Sequence, residues 1–566
     1  MFHITLYLFD LKILKIVKGN NMKFQKDHKK AATERQFSLT DGIISKKKID
    51  YRKYLKKDLK YLDTKQFSFF MKNGFLSLKS SLPKFFHDNI YNEIGNVIGL
   101  GKEEENPGNN LLPLIPNLIY IFEDPIIKGA LKSILGDNFM LHPHRFVHDN
   151  PFGSGGQAWH HDTYWGYNRK IRNHRPWWLM VMYLPQDTFH ENGPTGILPG
   201  SQFSHQRFND ADKFEKEHVG KAGTCMLIHY DIWHHKKENF INKDRFMVKF
   251  EFVRKDNPKN KFYSEKYFEN INSNNLSPFD LDFIYESNIN WFTNSKPKTN
   301  YDIFEKKDFI YNDNAKILKI LKKISSLKKI HQSQLKPIEN FIFNENENIS
   351  INAAFALSKL GTIGRKCLID IILSFDGRNN AKPRLFFDEG QESNIGMEIR
   401  NSTHALISMG NESINDFIKL ALEGNQLARR YSAFALGEIG SQNNKIVDIL
   451  VVLSKDKNES VRISAIESLG LKKGTALSKK ALSYSLLNDK DDEVRSNAAL
   501  SFWRLSGNSL LDLNVMYDAL NDSNRYVRAY ILEALEQINT VKSRSILLHE
   551  LKTSRWCQMT NPKSMF

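Results

Sequence analysis

Four arginines stand at a fixed interval in the last third of this chain, and each opens a helix-length apolar segment. Arg429 (ARRYSAFALGEIG), Arg462 (VRISAIESLG), Arg495 (VRSNAALSFWRLSG) and Arg528 (VRAYILEALEQI) are 33 residues apart, and Arg400 (IRNSTHALISMG) lies 29 before the first. A less regular unit, INAAFALSKLG at 351–361, precedes them across an insertion around 375–395. One such unit cannot bury its own apolar face. A repeat of this length, with two helices per unit, folds by stacking, so that each unit covers the next. Ala465, Ala498, Ala499 and Ala534 let neighbouring helices approach closely, and a Gly or Asn after each helix ends it. The last third is therefore expected to be an all-α solenoid.

A chain of 566 residues has room for other domains upstream. Twelve of its 18 histidines fall between His142 and His235, in a stretch also rich in Trp and Gly. There RPWWLMVMYLP (175–185) is a continuous apolar run stopped by Pro, and RFMVKFEFVR (245–254) is aromatic, β-branched and roughly alternating. Both read as strands. Between them ENGPTGILPGSQ (191–202) is dense in turn residues. Several strands joined by Gly/Pro turns predict a β-sandwich or barrel, with helices at 64–101 and 124–135 laid outside it. Residues 256–345 read as an irregular connection with one or two helices, NAKILKILKKISSLKK (314–329) among them.

Within the histidine-rich stretch, WHHD (159–162) and IWHH (232–235) repeat a theme. In an extended chain, residues two apart share a side, so His160 and Asp162 face together while His161 points away. An imidazole and a carboxylate so placed offer two ligands to a divalent ion, and His234 or His235 offers a third. Two His and one carboxylate on one face suit non-haem Fe(II) and O₂ chemistry. Arg245 follows eleven residues after His234, where a returning strand would set a guanidinium beside the metal to grip a carboxylate.

Residues of about 65–254 also resemble the phytanoyl-CoA dioxygenase family of Fe(II)/2-oxoglutarate oxygenases. The resemblance is carried by FMKNGFLSLKSSL (70–82), EDPIIKGALKSILGDNFML (123–141), WHHD, NGPTGILPGSQ (192–202) and IWHHKKENFINKDR (232–245). It implies a double-stranded β-helix (a cupin-like jelly roll) with flanking helices. It implies His160, Asp162 and His234 as iron ligands and Arg245 as the anchor of the 2-oxoglutarate carboxylate, with O₂ as the other co-substrate. Asn239, five residues after His234, selects that histidine over His235 by the family's interval. Lys236 departs from the family, which often has a small hydroxyl residue there. The last third resembles HEAT-type repeats.

The expected organisation is a basic extension at 1–60, the oxygenase at 61–255, the connection at 256–345, HEAT-like repeats at 346–550 and a tail at 551–566. The implied activity is hydroxylation of a small-molecule or carrier-bound substrate, with the repeats binding a protein partner. The alternative is a catalytically silent scaffold working through its repeats. A fragment ending near 345 is expected to keep the oxygenase chemistry.

Composition trims the other classes. Three scattered cysteines, Cys225, Cys367 and Cys557, make no disulfide framework and suit a reducing, cytoplasmic setting. The net charge of +17 comes without a dense basic block interleaved with aromatics, so nucleic acid is not the expected partner. The opening MFHITLYLFDLKILKIVKG is broken by Asp10, Lys12 and Lys15 and is too short to span a bilayer. Met22 offers a second start, and no transmembrane helix is expected. Trp159, Trp165, Trp177 and Trp178 read as core; His142, His144 and His148 read as structural; GSGG (153–156) reads as a lid or turn; Cys225 reads as inert.

Overall fold

A computed structural model describes residues 49–55, 58–98, 110–162, 171, 173–205, 210–258, 276–295, 313–324, 332–374, 397–440, 442–507 and 511–553. The N-terminal extension up to 48, Trp165, the insertion at 375–396 and the tail beyond 553 lie outside them. Within the basic 46–60 segment, Tyr51–Tyr54 forms a single 3-10 turn. No helix among the described residues is long and apolar enough to cross a membrane.

Helix α1 (Thr64–Asn73) starts at a capping box, in which the Asp63 carboxylate accepts from Gln66 N–H and the Gln66 side chain accepts from Asp63 N–H. It ends at Gly74, whose φ of 76° lets the chain turn directly into β1 (Phe75–Lys79). Helices α2 (Lys84–Ile98) and α3 (Pro125–Leu135) follow, and with them comes the apolar cover of the sheet. The strands are β2 (Phe139–Asn150), β3 (Trp178–Leu184), β4 (Thr195–Ile197), β5 (Lys216–Glu217), β6 (Thr224–His229), β7 (His234–Lys236) and β8 (Arg245–Arg254). They form two antiparallel sheets, one ordered β1-β6-β3-β8-β2 and one ordered β5-β4-β7. Both share one core, in which Ile197 and Leu198 belong to the same apolar cluster as Met180, Met182, Met226 and Ile228. The expected strands at 175–185 and 245–254 are β3 and β8, and every residue of both is buried.

The 256–345 segment is more ordered than its composition suggests. It contains α4 (Asp282–Thr293), α5 (Asn314–Ile324) and α6 (Gln332–Ile342). Phe292 of α4 meets Phe67 of α1 edge-on at 5.0 Å, and Asn288 donates to His174 O at 2.8 Å.

The solenoid has an inner row of helices: α7 (Glu347–Ser358), α8 (Met397–Ser408), α9 (Gln426–Glu438), α10 (Glu459–Gly470), α11 (Asp492–Arg504) and α12 (Arg525–Ile538). An outer row, which includes Ile414–Glu423, Asn444–Leu453, Ala476–Asn488 and Leu513–Ala519, packs against it. The fixed interval has a chemical content. Asn425, Asn458, Asp491 and Asn524 each cap the helix that carries the arginine four residues on. Each of Arg429, Arg462 and Arg495 forks onto an aspartate of the next repeat's turn: Asp456, Asp489 and Asp522. Gly470 is small because a Cβ there would lie 2.4 Å from Ser501 Oγ, on the neighbouring helix.

The solenoid does not stand off from the sheets. Residues Tyr54–Leu548 form one compact unit, and its apolar cluster runs without a break from Phe75 to Ile546. Glu438, at the end of α9, accepts from Asn173 Nδ2 at 2.7 Å and from Arg175 Nη1 and Trp177 Nε1 at 3.1 Å. Arg504 of α11 lies over the Trp177 ring at 5.3 Å, and Lys255 Nζ donates to Ser506 Oγ at 2.9 Å. His174 stacks on His404 of α8 at 3.7 Å. These buried polar pairings run against the expectation of a repeat region independent of the oxygenase.

Candidate metal centre

The chain crosses itself where the two histidine motifs meet. His160 N–H donates to His234 O at 2.9 Å and His234 N–H to His160 O at 3.0 Å, an isolated antiparallel bridge that sets the two imidazoles 4.4 Å apart. Period-two alternation then brings Asp162 to the same side. One ligand atom from each of His160, Asp162 and His234 lies within 4.8 Å of the other two, the one such group of three among the described residues. His161 points the other way: its Nδ1 is 2.6 Å from Asp231 O, and its ring lies 3.8 Å from that of Trp233.

The donor set fits a divalent metal. His160 Nδ1 is tied to Ala158 O and His234 Nδ1 to Ile232 O, each at 3.0 Å. A carbonyl can only accept, so in the neutral rings Nδ1 carries the proton and Nε2 offers its lone pair. Burial, with His234 alongside, lowers the His160 pKa to about 4, so that ring is neutral at physiological pH. His234 Nε2 lies 3.4 Å from Asp162 Oδ2. Burial opposes charge on Asp162, but Lys249 and His234 outweigh it and hold the carboxyl well below its usual range.

His235 is elsewhere. It sits under Trp159 with ring centroids 4.1 Å apart, and its Nε2 faces Glu215 Oε1 at 3.2 Å. Asn239 is fully buried and closes the turn between β7 and β8, donating to Asn150 O at 2.7 Å and Lys243 O at 2.9 Å. That turn returns the chain so that Arg245 opens β8. Arg245 is 1% exposed, and burial lowers its pKa to about 10. Its Nη2 donates to Gly193 O, while its Nε has no partner among the described residues. Gly193 has a φ of 65°, and a Cβ there would meet Lys237 O at 2.5 Å; the Asn-Gly-Pro turn needs glycine at this point.

Lys249 is the residue the sequence reading missed. Its Nζ lies 2.8 Å from Asp162 Oδ2, with both side chains buried. Lys236, the departure from the family pattern, acts instead on Asp149, whose carboxyl pKa its charge lowers. A signal was present: β8 is apolar on one face, where Phe250 and Phe252 pack on Phe122, and carries Arg245, Lys249 and Glu251 on the other. Charges in a strand with no solvent face mark a polar interior. Of the other residues singled out, Trp177 and Trp178 are core, and Cys225 is buried with its thiol pushed up by burial. His148 lies on the interior face of β2 opposite Met247. GSGG lies against the β7–β8 turn through Gly153 N–H to Asn239 O at 2.9 Å.

A jelly roll of two antiparallel sheets, with two histidines and an aspartate converging at a strand crossing, defines the class. Residues 86–247 match the phytanoyl-CoA dioxygenase (PhyH) family, and residues 414–503 match HEAT repeats. The chain thus carries a PhyH-family Fe/2-oxoglutarate oxygenase domain followed by an all-helical HEAT-repeat region. Among solved structures it is similar to the non-haem monooxygenase ThoJ in its apo form (17% identity, 33% of this chain and 76% of that one, TM-score 0.28). It is also similar to the α-ketoglutarate-dependent carbocyclase SnoK from nogalamycin biosynthesis (13% identity, 34% and 85%, TM-score 0.29). EctD from S. alaskensis with 2-oxoglutarate and 5-hydroxyectoine is a third (15% identity, 37% and 82%, TM-score 0.29). No curated protein matches the chain.

Proposed function

We propose that the chain is an Fe(II)/2-oxoglutarate-dependent oxygenase that hydroxylates a small-molecule or carrier-bound substrate, its repeats serving also to bind a protein partner. The observation that carries this reading is the convergence of His160, Asp162 and His234, with both Nδ1 atoms already tied to carbonyls. His160, Asp162 and His234 would hold the iron, which supplies the activation of O₂ coupled to decarboxylation of 2-oxoglutarate. Arg245 would bind the distal carboxylate of 2-oxoglutarate: a buried guanidinium whose Nε is unpartnered among the described residues supports that role. His161 and Trp233, neighbours of the ligands in sequence, pack on each other with rings 3.8 Å apart.

The test is succinate formation from 2-oxoglutarate with Fe(II) and ascorbate, compared across His234→Ala, His235→Ala and Arg245→Ala. His234→Ala should abolish it and His235→Ala should not. Arg245→Ala removes a contact worth roughly 1.5–3 kcal/mol, so the 2-oxoglutarate requirement should rise about ten- to a hundredfold. Equal loss in both histidine variants would overturn the ligand assignment. A second reading, a catalytically silent scaffold, is favoured by one observation, the Lys249 ammonium against the Asp162 oxygen. Wild-type protein that binds neither Fe(II) nor Co(II) would establish that reading instead.

A further inference from the structure

Helix α12 turns one stripe of side chains toward β2. Tyr526, Tyr530 and Glu533 fall at i, i+4 and i+7, one face of a helix. β2 meets the stripe where its register with β8 breaks: Leu141 pairs with Phe252 and Arg145 with Phe250, so three residues of β2 (142–144) run against one of β8, Glu251. Bulges re-aim side chains. Here the re-aimed residues include His142 and His144. His142 Nε2 lies 2.5 Å from the Tyr530 hydroxyl, and His144 Nδ1 lies 3.0 Å from that of Tyr526.

The far side of both imidazoles faces Glu251. His142 Nδ1 is 3.2 Å from Glu251 Oε2, and His144 Nε2 is 3.9 Å from Oε1. Glu251 stands two residues from Lys249 on β8, so both side chains leave the strand on the same face. Lys249 in turn holds Asp162. A buried polar row therefore leads from the last inner helix of the solenoid to a carboxylate of the metal centre.

We infer that α12 is part of the oxygenase site, with Tyr526 and Tyr530 as positioning residues that fix His142 and His144 and, through Glu251 and Lys249, the Asp162 carboxylate. This rests on the reading of His160, Asp162 and His234 as the metal site. The physical reason lies in the tautomer of His142. His144 N–H donates to His142 Nδ1 at 3.1 Å, so the neutral ring carries its proton on Nε2 and gives it to the Tyr530 oxygen. Without that oxygen, a buried N–H must seek another acceptor. Glu251 Oε2, which has no hydrogen-bond partner among the described residues, lies 3.2 Å from Nδ1 of the same ring and would accept from the other tautomer, with the proton moved to Nδ1. Drawing Glu251 toward His142 changes what Lys249 faces, and so how firmly Lys249 holds Asp162.

The experiment titrates full-length protein with Co(II) and records thermal unfolding in parallel. Tyr530→Phe should raise the Co(II) dissociation constant about three- to tenfold, below the ten- to hundredfold typical of a direct partner of a ligand. Tyr484→Phe, on an exposed part of the outer row, should leave it unchanged. In a Glu251→Gln background Tyr530→Phe should add nothing, because the effect passes through that carboxyl. If Tyr530→Phe fails to fold, Tyr526→Phe gives the same reading through His144. A wild-type dissociation constant in folded Tyr530→Phe, even with a lower melting temperature, would make α12 a structural prop only and overturn the inference. So would an undiminished effect in the Glu251→Gln background. Wild-type protein that binds no Co(II) would remove the metal reading and this inference together.

Discussion

Asp162 meets a histidine and an ammonium on the same oxygen, at 3.4 Å and 2.8 Å. Lys249 supplies the positive charge that a buried carboxylate requires. A divalent ion between the histidines would supply it too. Lys249→Met should therefore destabilise the metal-free protein by about 3–5 kcal/mol, since it leaves a buried charge unpaired. Added Co(II) should then raise the melting temperature more in the variant than in wild type. An equal rise in both, followed by differential scanning fluorimetry, would mean that Lys249 and metal do not share Asp162. The three converging side chains were legible because their signals are local: period two joins His160 to Asp162, and an Asn-closed turn separates His234 from Arg245. Lys249 was not legible. A lysine in a roughly alternating strand reads as a solvent-facing position until both faces of the strand are known to be covered.

At the scale of elements, the repeat interval was readable because the same job recurs. The pairs Asn425–Arg429, Asn458–Arg462 and Asp491–Arg495 each stitch one turn to the next, so the spacing repeats even where the apolar residues vary. Arg462 Nε and Nη2 reach Asp489 at 2.8 and 3.0 Å, and Nη1 reaches Asp456 O at 3.0 Å. Arg462→Ala should cost roughly 1.5–3 kcal/mol and speed amide exchange in α10 and α11. Arg462→Lys should recover little of this, because an ammonium cannot fork. Restoration to wild-type exchange by Lys would reduce the ladder to simple charge. The bulge in β2 was not readable, since nothing in LHPHRF announces two extra residues against β8. Glu533 of α12 gives this junction a pH signature. Burial pushes its carboxyl up to about 7, Glu536 adds to the shift, and Arg145 opposes it. The folded protein then keeps a proton that the unfolded chain releases near pH 4.3. Stability contributed at this site is thus greatest below the unfolded value and falls as pH rises toward 7, by roughly 1–3 kcal/mol. Glu533→Gln should flatten that slope in urea unfolding measured from pH 5 to 8; an unchanged slope would place the titration elsewhere.

For the whole molecule, the two domain types were visible in sequence and their mutual burial was not. Sequence periodicity reports which face of a helix is apolar; it does not report which distant surface covers it. A cut near 345 removes Glu438 from Asn173, Arg175 and Trp177, Tyr530 from His142, and Ser506 from Lys255. The fragment ending there should expose Trp177 and lose cooperative unfolding, contrary to what the sequence suggested. Tryptophan fluorescence and thermal scans of the fragment beside the full chain test this. A sharp transition with retained 2-oxoglutarate turnover would return the two parts to independence.

The pairing of His142 with Tyr530 spans 388 residues. The sheet is complete only at Arg254, so at ribosomal speeds of about 5–20 residues per second it emerges roughly 14–55 s before its covering helix has been made. Throughout that interval the nascent jelly roll presents Trp177 and its neighbouring buried polar groups to solvent or to chaperones. The yield of native protein is therefore tied to the tempo of translation, and slowing elongation late in the message should favour aggregation over completion.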